Sequence, residues 1–128
     1  MSRNQFANQG GQATVELALC LPILALLLAA VVEIGAIVGD QARMWHAARE
    51  AARAATVDRD LTDVHAAAER AGLEGVRVEV SPEADGRVQG DPVRVHLSYD
   101  PPGRVPLLGA LLSRVELRAE ATMRIEAP

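Results

Sequence analysis

The sequence predicts an α+β chain in which a long N-terminal membrane-spanning helix continues into an extracytoplasmic stem, followed by a short helix packed on a three-stranded antiparallel sheet. Three observations predict it. An apolar run at 17–32 resumes after Glu33, residues 41–57 are dense in alanine with neither glycine nor proline, and three later segments alternate apolar and polar residues strictly.

The first helix comes from length and apolarity. Residues 13–38 would rise about 39 Å at 1.5 Å per residue, enough to cross a hydrocarbon core of about 30 Å with some tilt. Glu16 and Glu33 bracket the most apolar part. An ionised carboxylate at the bilayer centre costs about 2.5–3.5 kcal/mol, and less near an interface, so both belong near the ends of the span or beside partners. For Glu33 an interfacial position is expected, because Asp40 and polar residues follow within two turns. Pro22 lacks an N–H and should kink or locally open the helix, which membrane helices tolerate. Gly35 and Gly39 have the small-xxx-small spacing that lets two membrane helices approach closely, so they are candidate helix-packing positions. The single cysteine, Cys20, cannot form a disulfide within the chain and is expected to behave as a small hydrophobe.

Residues 41–57 should extend this helix, since alanine is the best helix former. Arg49 and Arg53 stand one turn apart and read as a solvated basic face supported by Glu50. Trp45 suits either an interfacial anchor or a contact with the downstream domain. A short helix over 60–72 follows, with early acids and Gly72 closing it. Leu61, Val64, Ala68 and Ala71 recur at helical spacing and are expected to lay it as a lid on the sheet.

The strands are read from period two. Val76, Val78 and Val80 oppose Arg77 and Glu79; Val93, Val95, Leu97 and Tyr99 oppose Arg94, His96 and Ser98; residues 115–126 alternate from Val115 to Glu126. Such alternation fits an antiparallel sheet with one buried and one wet face. Residues 81–92 are rich in Gly, Pro and Asp and read as a connection, and residues 100–103 stop the second strand. Residues 105–112 are apolar enough to cover an edge or to rest on the membrane or a partner.

Composition confines the remainder. The chain has 128 residues, 49% hydrophobic, with a formal charge of −4. Once the helix is removed about 85 residues remain, enough for one modest core. All thirteen basic side chains are arginine and the balance is acidic, which argues against a nucleic-acid footprint. His46, His65 and His96 fall in different predicted elements, at no metal-site spacing, and read as surface residues. No phosphate-binding loop, nucleophile elbow or paired-carboxylate arrangement occurs, so no catalysis, cofactor or metal is expected.

The N-terminal residues carry a family resemblance. An ordinary secretory signal would have a basic start, a shorter apolar core and a small-residue cleavage motif after it, whereas this start has only Arg3 among neutral residues and no convincing Ala-x-Ala site ends the apolar stretch. Leu19 is too large for the position before a lipoprotein cysteine at Cys20. Gly11 and Glu16 stand instead where a type III, prepilin-type signal has its cut-site glycine and fifth mature residue. Gly11-Gln12-Ala13-Thr14-Val15-Glu16-Leu17-Ala18-Leu19 and the Leu/Ala-rich helix after it resemble the opening of the TadE-like pseudopilins of tight-adherence (Flp-type) pilus systems. Ala47-Ala48-Arg49-Glu50-Ala51-Ala52-Arg53-Ala54-Ala55 is similar to the Ala/Arg segment that follows in those proteins.

This resemblance implies a minor pseudopilin cut by a prepilin peptidase between Gly11 and Gln12. Its domains would be a leader at 1–11, a transmembrane helix at 12–39, a helical stem at 40–57 and a small α+β domain at 58–128. The new ammonium on Gln12 would lie four residues from Glu16 on one helix face. In pilins the resemblance implies that this glutamate pairs with the amino terminus of a neighbouring subunit. The partners it implies are the peptidase, other pseudopilins or the major pilin, the inner-membrane assembly platform and membrane lipid. The N-terminus would be cytoplasmic and the C-terminal domain extracytoplasmic, against the charge bias, since Arg43, Arg49 and Arg53 follow the helix and only Arg3 precedes it. The alternative is an unprocessed single-pass adaptor with an extracytoplasmic protein-binding domain.

Overall fold

A computed structural model describes residues 5–57, 61–104, 110 and 115–126, with side chains from residue 11 onward except that of Leu61. The order is helix α1 (Gln5–Val57), helix α2 (Leu61–Glu69), strand β1 (Arg77–Ser81), a 3-10 turn at Ala84–Gly86, strand β2 (Pro92–Tyr99) and strand β3 (Leu117–Arg124). The expected stem extension is present, since membrane-length helix and stem are one element. That helix continues through Pro22. Most of the apolar connection at 105–112 lies outside the described residues.

The sheet is antiparallel in the order β1-β2-β3. Val95 pairs with Val80 on one side and Ala121 on the other, and Leu97 with Val78 and Ala119. This register puts Val93, Val95, Leu97, Tyr99, Leu117 and Ala119 on one buried face. The other face carries Arg94, Glu120, Arg118 and Thr122, with an Arg94–Glu120 ion pair at 2.9 Å. The alternation of the sequence is thus realised, although β1 and β3 begin at Arg77 and Leu117, one and two residues later than the pattern begins.

The apolar face is covered by α1. Met44, Ala47, Ala48, Ala51, Ala52 and Ala55 form a buried stripe at positions i, i+3, i+4, i+7, i+8 and i+11. Alanine lets the sheet and α2 both come close to the helix axis. The short helix, expected as a lid on the sheet, packs chiefly against α1, burying Val64, Ala67 and Ala68 there. It ends as expected: Gly72 adopts φ +70°, and its N–H donates to the Glu69 carbonyl at 3.0 Å.

β2 runs alongside α1 in the opposite direction. At its start, the neighbouring Asp91 carbonyl accepts from the Ile125 N–H, and the next residue, Glu126, donates to the Thr56 carbonyl near the helix end. Past its other end, Arg104 reaches Asp40. The lengths agree, since Asp40 to Thr56 rises about 24 Å along a helix and eight strand residues extend about 26 Å.

Arg87 fixes the β1–β2 connection to the end of α1. It is 6% exposed, and its guanidinium donates to the carbonyls of Pro82 (3.3 Å) and Ala55 (3.4 Å). The last helical carbonyls have no partner within the helix, and the last turn of α1 contains no basic residue. The cation that such a terminus favours arrives from 32 positions away.

Candidate assembly site on the long helix

Two sections of α1 differ in burial. From Gly11 to Leu28 every residue is exposed, including Leu17, Leu19, Leu21, Ile23, Leu24, Leu26, Leu27 and Leu28. Among the described residues nothing in the folded domain covers this apolar cylinder, and the helix that contains it is long and apolar enough to cross a membrane. From Glu33 onward one side of the helix is buried by the chain's own domain.

At the N-terminal section, the Gln12 side-chain amide donates to Glu16 Oε1 at 3.1 Å. Sequence spacing had put these residues on one face, and the helix brings them into contact. Gly11 lies one residue before this pair, exposed and with open space where a side chain would stand. Cys20 is exposed on the same apolar cylinder.

At the domain end, Glu33 and Asp40 are 2% and 1% exposed. Glu33 is therefore covered by the chain's own domain, a burial that the residues following it in sequence did not predict. Its Oε1 accepts the backbone N–H of Arg104 at 3.1 Å, while the Arg104 guanidinium donates to Asp40 at 3.0 and 3.4 Å. Arg43 adds a longer contact to Asp40 at 3.5 Å. Asp40 and Glu33 are seven residues apart, two helical turns, and belong to the same stripe as Met44, Ala47 and Ala51. That continuation of the helical period from apolar into acidic residues was the available signal, and reading each acid singly missed it.

Tyr99, buried at the end of β2, faces this cluster. Desolvation, with the negative charge of Asp40 second, raises its phenol above the ordinary value of 10.0.

Gly35 and Gly39 lie on the side of α1 turned away from the domain. Both are exposed, and a side chain added at either would meet nothing within 4 Å. Ile34, Val38 and Trp45 are exposed near them, so Trp45 is not part of the domain core. Arg49 and Arg53 are exposed as expected, with Arg49 Nη2 3.3 Å from His46 Nδ1. His46 and His65 are surface residues, but His96 is half-buried on β2, and its Nδ1 is enclosed without a hydrogen-bond partner.

A second charged group lies on the outer sheet face. Arg77 donates to Ser98, Asp100 and Glu116, and Glu116 also accepts from Arg118. Arg118 and Arg77 hold the Glu116 carboxyl below its ordinary range.

Comparison with known proteins adds one result. Residues 11–53 match the family model described as TadE-like protein. The match begins at Gly11, includes Glu16 and the whole exposed apolar section, and ends within the alanine stripe. No curated protein and no solved structure matches the chain.

Proposed function

We propose that this chain, TadE-like over residues 11–53, is a membrane-anchored minor pseudopilin that takes part in assembling a tight-adherence pilus. The family match points to that assembly system, and the matching family is not an enzyme family. The finer reading rests on one observation above all. Glu16 sits four residues after Gln12, in side-chain contact with it, at the head of an uncovered apolar helix.

In this reading a prepilin peptidase hydrolyses the Gly11–Gln12 bond, leaving a carboxylate on Gly11 and an ammonium on Gln12. The cut would make Gln12 the start of the helix, where the dipole favours a nearby anion such as Glu16. Before the cut Glu16 has an amide beside it; afterwards a cation is available from its own or a neighbouring subunit. Lateral assembly then neutralises a carboxylate that is costly in lipid.

The domain's attachment to Glu33 shortens the proposed bilayer segment from 12–39 to 12–32. Its 21 residues rise about 31 Å, the thickness of a hydrocarbon core. Gly35 and Gly39 then lie just outside the hydrocarbon, on the open side of the stem, and are offered to the helix of a neighbouring pilin or pseudopilin. The N-terminus would be cytoplasmic and the domain extracytoplasmic.

N-terminal sequencing of the protein from cells with an active prepilin peptidase tests this reading. A mature chain beginning at Gln12, with Gly11→Ala left uncut and Glu16→Ala cut but poorly incorporated, is the expected result. A chain retaining residues 1–11 in such cells would overturn it in favour of the unprocessed adaptor.

A further inference from the structure

We propose that the lower rim of the sheet, the turn at Pro102, Gly103 and Arg104 with Arg43, Arg77 and Arg118 around it, is a lipid-facing surface that rests on the phosphate headgroups of the bilayer entered by α1. The inference depends on the membrane reading of α1 given above.

Position is the first observation. The backbone of Arg104 is hydrogen-bonded to Glu33, one residue beyond Val32, where the exposed apolar section ends. Each headgroup layer is about 5–7 Å thick, so a turn held at Glu33 lies within or against it. Pro102, Gly103 and Arg104 are all exposed. Higher on the rim, the Gln41 side chain donates to the Arg118 carbonyl, which sets Arg118 level with Gln41. That level is about 13 Å above Val32 along the helix, leaving a gap to the headgroups of about one Debye length.

Charge is the second. Side-chain exposure is 59% for Arg43, 42% for Arg104, 56% for Arg77 and 67% for Arg118, whereas their partners Asp40 and Glu116 are 2% and 31% exposed. Asp100, at 59%, is the exception among these partners. The Asp40 carboxylate is turned inward, that of Glu116 is partly covered, and the four guanidinium groups point outward. Arginine donates in a planar fork that matches phosphate oxygens. The far end of the domain is mixed, with Glu83, Asp85, Asp91 and Glu126 exposed alongside Arg53 and Arg124, and Arg87 buried.

Electron paramagnetic resonance on the full chain in vesicles tests this. In a Cys20→Ser background, nitroxide labels are placed through Gly103→Cys, Val88→Cys and Leu24→Cys. The vesicles are phosphatidylcholine with or without phosphatidylglycerol. The label at position 103 should show a several-fold higher ratio of oxygen to nickel-chelate collisions than the label at 88. Phosphatidylglycerol should raise that ratio further, and Arg43→Gln with Arg118→Gln should abolish the increment. A label at 103 as aqueous as that at 88, with the label at 24 in hydrocarbon, would sink the rim surface and leave the membrane helix standing. Aqueous behaviour at all three positions would remove both, and indifference to phosphatidylglycerol would refute the headgroup recognition.

Discussion

Arg104 and Asp40, 64 positions apart, form a two-oxygen ion pair that joins the turn after β2 to the long helix. Asp40 is buried while the arginine side chain is 42% exposed, so the pair is a buried carboxylate served by a cation from the rim. Among the described residues, removing the cation leaves Asp40 with only the longer Arg43 contact, and an under-satisfied buried charged group costs about 1–3 kcal/mol or more. Arg104→Ala should therefore lower stability by about 2 kcal/mol, measured by denaturant unfolding in detergent. Arg43→Ala should cost less than half as much, because Arg104 retains the shorter contacts.

The Ala55–Arg87 contact predicts a second effect. Arg87→Leu removes the cation that reaches the last carbonyls of α1 while keeping an apolar stem in place. Loss of a hydrogen bond to a charged group gives an expected cost of about 1.5–3 kcal/mol. Amide exchange should accelerate most in the final turn of α1 and in the β1–β2 connection, a pattern that a general loss of packing would not produce.

Alanine on α1 is used in two ways, and substitution separates them. Ala48 is fully buried beneath the domain, whereas Ala42 is exposed. Ala48→Leu should destabilise by about 1–3 kcal/mol, the usual cost of forcing extra methylene groups into a filled core. Ala42→Leu should leave stability within about 0.5 kcal/mol, as expected for a surface position. Equal effects would contradict the assignment of faces.

Tyr99 is the chain's only tyrosine, so its ionisation can be followed by ultraviolet absorbance without interference from another phenol. Burial, and after it the Asp40 charge, raises its value in the folded state above 10.0. A group whose folded value is raised contributes stability that is fully present below the unfolded value and disappears as pH climbs through the folded one. The fold should thus lose this contribution only above pH 10, and the native phenol should titrate later than the unfolded one. Asp40→Asn should bring the native midpoint downward by removing the second cause.

Much of this architecture was legible in the residues. Apolar length marked the exposed section of α1, period two marked the faces of β2 and β3, Gly72 marked the end of α2, and the spacing of Gln12 and Glu16 placed their side chains together. These features are local: each depends on geometry repeated within a helix or strand, so spacing alone specifies them.

What only the tertiary structure decided was which surfaces meet. The sequence cannot show that α2 packs chiefly on α1, because an apolar stripe states that a face is buried and not what buries it. Nor can it show that Glu33 and Asp40 are satisfied by Arg104, or that Arg87 serves the end of a helix 30 residues earlier. Those contacts follow from β2 running back along α1 for nearly its own length. Strand rise is about twice helix rise, so eight strand residues return the chain beside the acids it passed some 60 residues before.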